Sequence, residues 1–474
     1  MRNKITKSIR KIISSPIRSF VIISIVFGTL LVALTPPFAG GDEEAHFIRA
    51  YGISRGQLTV ERYGEVEIPQ SYRKTLGCMQ TSTPIPGEMY KYDSTSYGND
   101  KTNAFKCAFS LPLDRANSEA VFTTASSYSP TTYIPQVLAI WVGKIFNLPI
   151  IAMLYLMRIF VMIAYVAMIA FAVWLLPVRK WALVGIALLP YSILHFNNPG
   201  GDYMLYGSIS IFVAAIVRSM YLNPSQLLRQ DRWLLPTVFA AGVMMVLPKG
   251  MIPGILFLPL LVFYGGLKKY KWQKILSIAV IATIALLWQW TVGNDVMEEP
   301  SSATSSLFTF PLAFIKTMFY GWTGFDFLYN GSGGGGAAAV PSVVISIVNM
   351  MIMMYLLVDY RPDNTKIKSS ILTRKIFGWV SIVIALLVVV ASFAAIHIAG
   401  SYLQDGSNII KGVQIRYYYP ALFMLAIVPF ARVFVTKETT FRNVVIGGSC
   451  VALATTVFVT LLNYQWGVFG GLLG

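Results

Sequence analysis

Charge is scarce in this sequence. Asp, Glu, Lys and Arg make up 12% of 474 residues while 55% are hydrophobic, where an ordinary soluble domain carries roughly 25% charged residues. That shortage excludes a water-soluble globule and indicates a polytopic membrane protein. Acids are the rarer sign, 21 against 38 Lys and Arg. In a soluble protein such a surplus would suggest nucleic acid. Here the basic residues fall in short loops between apolar runs, the pattern of cytoplasmic loops, and no nucleic-acid partner is expected. Cysteine is almost missing, with three in the chain. Cys450 lies in an apolar run and reads as a small core residue. Cys78 and Cys107 share one long hydrophilic segment without metal-type spacing, and an extracytoplasmic placement would allow them to pair; whether they do stays open at this level.

What the chain does have is apolar runs of the length a bilayer requires, about 20 residues each. The basic stretch MRNKITKSIRKIISSPIRSF precedes the first, without a small-residue cleavage site at its end, so residues 1–39 read as a cytoplasmic N-terminus and a retained helix over 18–38. Residues 40–148 form a large extracytoplasmic loop, in which the short apolar stretch 133–146 is expected to lie along the membrane as an interfacial helix. Residues 149–293 hold helices two to seven, at 149–176, 181–196, 203–221, a short pair within 233–266 hinged at LPKG, and 273–293. A flexible extracytoplasmic loop, 294–339, precedes helices eight to eleven within 340–474, at 340–359, 376–398, 415–435 and 443–463. About eleven spans in an all-α chain satisfy the basic-loop bias, with the N-terminus inside and the C-terminus outside.

With this topology the polar residues inside or beside the spans collect at the outer face, where ionisable groups are costly and tend to mark function. The stretch GGDEEAHFIRAYG opens the outer loop. If it is helical, Asp42, His46 and Arg49 share a face and Glu43 lies about 100° around. Arg158 sits about two turns into helix two. His195, Asn197, Asn198 and Asp202 form the turn HFNNPGGD, Lys249 caps the LPKG hinge, and Gln414 and Arg416 open helix ten. A carboxylate at a membrane edge suits transfer of an activated sugar: it takes the proton of an attacking hydroxyl, while Arg and Lys stabilise a phosphate leaving group. Asp42, Glu43 and His46 are therefore the catalytic candidates. Arg49, Arg158, His195, Asn198, Asp202, Lys249, Gln414 and Arg416 are the candidates for binding substrate and phosphate.

The stretch PPFAGGDEEAHFIRAYGISRGQ resembles the opening motif of a bacterial membrane-protein family known as domain of unknown function 2142. Further similar pieces are YLMRIF at 155–160, ALLPYSILHFNNPGGDYMLYG at 187–207, the PKG hinge and GVQIRYYYP at 412–420. The chain departs from that pattern at Ile415, where the family usually has glycine, and in the extra Gly and Pro before Asp202. The family in turn resembles the GT-C superfamily of polytopic glycosyltransferases, which use polyprenyl-phosphate sugars at the extracytoplasmic face. The resemblance implies a GT-C-like fold, a base at Asp42 with Glu43 next, a lipid-linked sugar donor, a cell-surface glycan acceptor and residence in the bacterial plasma membrane. No cofactor is required by these residues, although the Asp-Glu-Glu run offers oxygen ligands of the kind Mg2+ or Mn2+ take. Competing readings are a transporter or flippase of lipid-linked saccharides, a polysaccharide polymerase, and a non-catalytic assembly partner. Transporters tend to carry internal repeats and polar sites at the bilayer midplane, whereas here the polar groups gather at one edge.

Overall fold

The computed structural model describes residues 14–38, 42–60, 64–79, 101–114, 116–126, 128–197, 199–222, 232–248, 254–267, 269–292, 310–316, 342–360, 371–398, 417–429 and 434–464. The basic tail ahead of residue 14, most of the expected loop 294–339, and the site candidates Asn198, Lys249, Gln414 and Arg416 lie outside the described residues. The described chain is mostly helical, and six of its helices are long and apolar enough to cross a membrane.

Helix α1 (Pro16–Leu34) begins on sequence signals: Pro16 takes the first turn and Ser15 Oγ accepts the Arg18 N–H. It stops short of the expected end at 38 because Pro36 and Pro37 bring no N–H to extend the ladder. The polar segment that follows contains α2 (Glu43–Ser54), β1 (Glu65–Pro69), α3 (Ser71–Cys78), α4 (Lys101–Ser110), β2 (Ser118–Phe122) and α5 (Ile134–Ile145). Strands β1 and β2 pair antiparallel, with Glu65 opposite Phe122 and Pro69 opposite Ser118.

A disulfide joins Cys78 to Cys107 across 29 residues, with Cα atoms 5.7 Å apart, and so ties α3 to α4. Closing a loop of that length restricts the unfolded chain by roughly 3–4 kcal/mol. Replacing both cysteines by serine should therefore lower the thermal midpoint of the purified protein, and a reductant should do the same to wild type but leave the double variant unmoved. Equal midpoints for all four samples would contradict the bridge.

Helix α5 has 12 residues, about 18 Å of rise against about 30 Å of hydrocarbon, so it is too short to cross. It buries Gln136, Val137, Ile140 and Gly143 and exposes Ile134, Leu138, Trp141 and Ile145. Spacings of four, three and four residues put those exposed side chains on one stripe. An apolar outward stripe on a helix this short is what an interfacial position requires.

The bundle proper starts with α6 (Ile150–Leu175), which packs against α1 and α5. The next stretch corrects the expectation of one helix over 181–196. It is α7 (Lys180–Ala187), then α8 (Pro190–Leu194), then a single 3-10 turn over His195–Asn197. Pro190 breaks the hydrogen-bond ladder. The carbonyls this strands are answered by side chains: Ser192 Oγ donates to Ile186 O at 2.9 Å and Tyr165 Oη to Ala187 O at 3.1 Å. Irregular backbone at membrane depth survives where protein covers it, and nearly all of α7 is buried.

Helix α9 (Asp202–Tyr221) is the middle of the bundle, contacting α6 and α10 (Leu234–Val246). Its serines satisfy themselves on their own helix, Ser208 Oγ donating to Met204 O and Ser210 Oγ to Tyr206 O. Beyond α10 the expected second short helix is a 3-10 segment, Leu258–Phe263, whose second residue, Pro259, brings no N–H to a regular ladder. There follow α11 (Lys271–Val292), α12 (Ser342–Leu357), β3 (Val358–Tyr360), α13 (Ile371–Ile398), α14 (Tyr419–Ile427), β4 (Phe434–Thr436) and α15 (Glu438–Tyr464). The helix expected to run to 435 ends ahead of Pro429. The β-branched stretch after it pairs in parallel with β3, Val358 opposite Phe434, so the described residues are helical with two small two-stranded sheets rather than wholly α.

The two ends of the bundle differ in chemistry. One end, reached by the C-terminus of α1 and the N-termini of α6 and α9, carries α2 to α5. The other is basic. There Arg179 ties several elements together, donating to Ala426 O at 2.7 Å, Tyr355 O at 2.8 Å and the Asp359 carboxylate at 2.8 Å.

Candidate functional site

The site is framed by Arg158, on a spanning helix yet fully buried. Its Nε and Nη2 grip the two oxygens of Glu43 at 2.6 and 2.7 Å. Its Nη1 donates to Thr35 O at 2.7 Å and Val32 O at 3.3 Å, and Nη2 to Pro36 O at 2.7 Å. These carbonyls belong to the end of α1, where a helix leaves its last C=O groups without intrahelical donors. One guanidinium thus caps α1 and anchors the start of α2. Arg158 as placed is a clamp, and Glu43 is held in a two-pronged ion pair away from solvent.

That clamp leaves Asp42 at the surface. It stands just ahead of α2 with φ 60° and ψ 11°, in the left-handed region, is exposed, and its side chain does not cap the helix. Among residues with a side chain, Asp and Asn tolerate this conformation best. Residues Glu43 to Ile53 behind it are all buried. The run of three acids therefore separates into one outward carboxylate, one ion-paired carboxylate and one further buried carboxylate, Glu44.

Inside α2, His46 Nδ1 lies 2.7 Å from Tyr133 Oη, and the Tyr128 ring meets the imidazole edge-on at 5.0 Å. Arg49 gives its N–H groups to Gln57 O at 3.0 Å, Leu58 O at 2.7 Å and Tyr128 O at 3.4 Å. Its burial, ahead of the opposing influence of Tyr133, lowers its pKa; as placed it holds the turn after α2 and does not reach outward for phosphate. The Tyr133 hydroxyl is kept protonated by burial first, then by Tyr128, with Tyr203 and the Asp42 carboxylate acting in the same direction and Arg49 against it. So Asp42, His46 and Arg49, expected to form one line, surround one buried phenol.

A second group adjoins the first. His195 Nδ1 is 3.8 Å from Asp202 Oδ2, and its Nε2 is 3.2 Å from Tyr206 Oη. Both ends of the turn between them are fastened. Asn197 Nδ2 donates to Thr35 Oγ1 at 2.8 Å, Gln136 Nε2 to Pro199 O at 2.7 Å, and Tyr203 Oη to Thr132 O at 2.7 Å. Gly201 allows the close approach, since a Cβ there would come within 2.8 Å of Thr132 Cγ2 and 3.0 Å of Pro248 O. The extra glycine ahead of Asp202 is therefore a packing requirement. Asp42 and Asp202 lie at the same end of the bundle. Pro248, the neighbour of Lys249, touches that turn, and Tyr419, three residues beyond Arg416, packs on Tyr191 and Tyr206 around His195.

The sequence reading missed Tyr128, Tyr133, Gln136, Tyr203 and Tyr206. Of these only Tyr133 carried a usable signal, at the Ser-Pro start of an amphipathic helix, where Ser129 Oγ accepts the Thr131 N–H. Among the described residues no three His, Cys, Asp or Glu side chains gather as a metal-ligand set.

Helices long and apolar enough to span a membrane, around a buried polar frame with an exposed Asp42 beside it, define a polytopic membrane protein with a candidate site at one end of its bundle. The chain belongs to the family described as "Predicted membrane protein (DUF2142)", whose profile matches residues 25–425. Among solved structures it is similar to ArnT from Cupriavidus metallidurans bound to undecaprenyl phosphate, at 12% identity and a TM-score of 0.33, over 84% of this chain and 75% of that one. No curated protein matches it.

Proposed function

We propose that the chain is an integral-membrane glycosyltransferase of the bacterial plasma membrane, moving a sugar from a polyprenyl-phosphate carrier to a cell-surface glycan or wall polymer. The observation that carries this reading is Asp42: an exposed carboxylate fixed by a buried frame at the mouth of two spanning helices. A lipid-borne donor approaches such a point from the bilayer, and a polymer acceptor from water. The Asp42 carboxylate takes the acceptor hydroxyl proton as its oxygen attacks the anomeric carbon. The bond to the carrier phosphate breaks, and the phosphate leaves with the electron pair. Lys249 and Arg416 are the cations proposed to meet it, with His195 and Asp202 binding sugar beside them.

The orientation rests on charge. Among the described residues, Arg179, Lys180, Arg218, Arg374 and Lys437 belong to the end opposite Asp42, together with the acids Asp359 and Glu438. That surplus belongs in the cytoplasm. It supports the proposed topology, with residues 40–148 and the C-terminus outside, the N-terminus inside and about eleven crossings once shorter and broken segments are included. A cysteine introduced at position 100 should react with an impermeant maleimide added to intact cells; reaction only after the cytoplasm is opened would reverse the topology.

The His46–Tyr133 bond yields a test of the site itself. If the phenol orients the imidazole beside Asp42, His46→Ala and Tyr133→Phe should each slow sugar incorporation into surface polymer by a similar factor, at matched membrane levels. The double variant should then be no slower than either single one, since groups that act as a unit are not additive. Losses that multiply would show that the pair does not work together.

A further inference from the structure

Helix α2, which follows Asp42, lies alongside α5. His46 meets Tyr133, the residue that leads into α5, at 2.7 Å. Further along, the Trp141 indole N–H donates to Ser54 O at 3.2 Å. Both pairs are 87 residues apart in sequence, so the two helices advance together in the same direction over about 12 Å. Lys144 Nζ donates to Ser54 Oγ at 2.7 Å and stands 4.2 Å from the centre of the Tyr51 ring. Ser54 is the last residue of α2, where carbonyls lack intrahelical donors and a cation is favoured. Trp141 supplies the donor and Lys144 the cation.

The same helix has an outward face. Ile134, Leu138, Trp141 and Ile145 are exposed, and so is Phe146 just beyond them. Residues 146–149 alone separate α5 from α6, a helix long and apolar enough to span a membrane. Gly143 packs on the first turn of α6, since a Cβ there would come within 2.5 Å of Met153 Cγ. The stripe therefore sits at the level where a span begins, between headgroups and acyl chains. Trp141, in the stripe, and Lys144, beside it, are residue types that settle at that depth. The occupant that fits an apolar face there is the acyl boundary of the leaflet.

We propose that α5 is a lipid-seated lever for α2. Its stripe rests in the acyl boundary of the leaflet at the Asp42 end, and Trp141 and Lys144 carry that seating to the end of α2 as positioning residues. The start of α2 is held separately, by Arg158 on α6. Helix α2 is thus strung between a span and the bilayer surface, with Asp42 at its head. The seating is independent of the transfer reading; its consequence for Asp42 rests on that reading.

The test uses the full chain in phosphatidylcholine nanodiscs. A photoreactive diazirine on a lipid acyl chain should label residues 134–146. A stripe left unlabelled would mean that another copy or another protein covers it, and would overturn the seating. Trp141→Phe keeps an aromatic ring on the lipid and removes the N–H. It should speed hydrogen exchange of the amides of residues 51–57 about fivefold, the scale of one hydrogen bond. Leu138→Gln combined with Ile145→Gln leaves Trp141 and Lys144 in place and should speed exchange of the same amides; if that pair does not insert, alanine at both positions is the comparison. Faster exchange in Trp141→Phe alone would show a fastening indifferent to lipid and overturn the lever, as would wild-type exchange in both. Lys144→Arg should stay near wild type, whereas Lys144→Met should follow Trp141→Phe. In the transfer assay Trp141→Phe should lower kcat roughly tenfold with KM for the lipid donor unchanged, the mark of a misplaced group rather than of weakened binding. Unchanged kcat beside faster exchange would overturn the link to Asp42. Exchange reads the lever and transfer reads the reaction, so the two fail separately.

Discussion

Asp42→Asn should lower sugar incorporation into surface polymer by about 10²–10⁴-fold, the range a positioned general base contributes, with the chain still inserted and folded. Asparagine is the substitution that isolates the proton. It keeps the size and one carbonyl oxygen, and it shares with aspartate a tolerance of the left-handed backbone that Asp42 adopts at φ 60°. Alanine would remove the carboxylate and strain the start of α2 together. Behind position 42 the Arg158 clamp and the His46–Tyr133 bond hold α2, and asparagine retains an oxygen acceptor at position 42 itself. Equal thermal midpoints for wild type and Asp42→Asn, with transfer lost, is the expected pair of results. Wild-type incorporation by Asp42→Asn would remove it from the role of base.

The second large effect concerns stability. Arg158 and Glu43 are both fully buried, and removing one member of such a pair strands the other charge in a low-dielectric interior at about 3–5 kcal/mol. Glu43→Gln should therefore drop the thermal midpoint sharply and reduce the amount of protein in the membrane. Arg158→Gln should do the same and also release the carbonyls of Val32, Thr35 and Pro36 at the end of α1. Any loss of transfer in these variants should track the loss of folded protein. A Glu43→Gln chain with an unchanged midpoint and no transfer would instead return Glu43 to catalysis. Thermal unfolding followed in detergent and transfer per folded molecule separate the two outcomes.

Much of this was legible in the sequence because it is local. Apolar length marked the long helices, and the position of Asp42 directly after a Pro-terminated span marked it as the candidate carboxylate that the structure shows exposed ahead of α2. The stretch 133–146 was too short to cross, and the structure places a 12-residue helix there. What stayed hidden is long-range. Glu43 and Arg158 are 115 residues apart and His46 and Tyr133 are 87 apart, and nothing in either stretch names its partner. Arg49 and Arg158 looked like free cations because a sequence does not show which backbone carbonyls will lack donors. Those acceptors arise where α1 meets its prolines and where the chain turns after α2. The break at Pro190 was visible as a proline, but its tolerance at membrane depth depends on Ser192 and Tyr165 reaching the freed carbonyls, which no hydropathy pattern reveals.

The most direct test of the central claim uses the purified full chain in nanodiscs. It is supplied with polyprenyl-phosphate sugars labelled in the sugar and extracted from the host membrane, together with host envelope polymer as acceptor. Wild type should move label from the lipid to the polymer, while Asp42→Asn should bind the labelled lipid with unchanged affinity and leave the label on it. Transfer at equal rates by both proteins, or lipid-bound label that wild type never moves, would contradict the account.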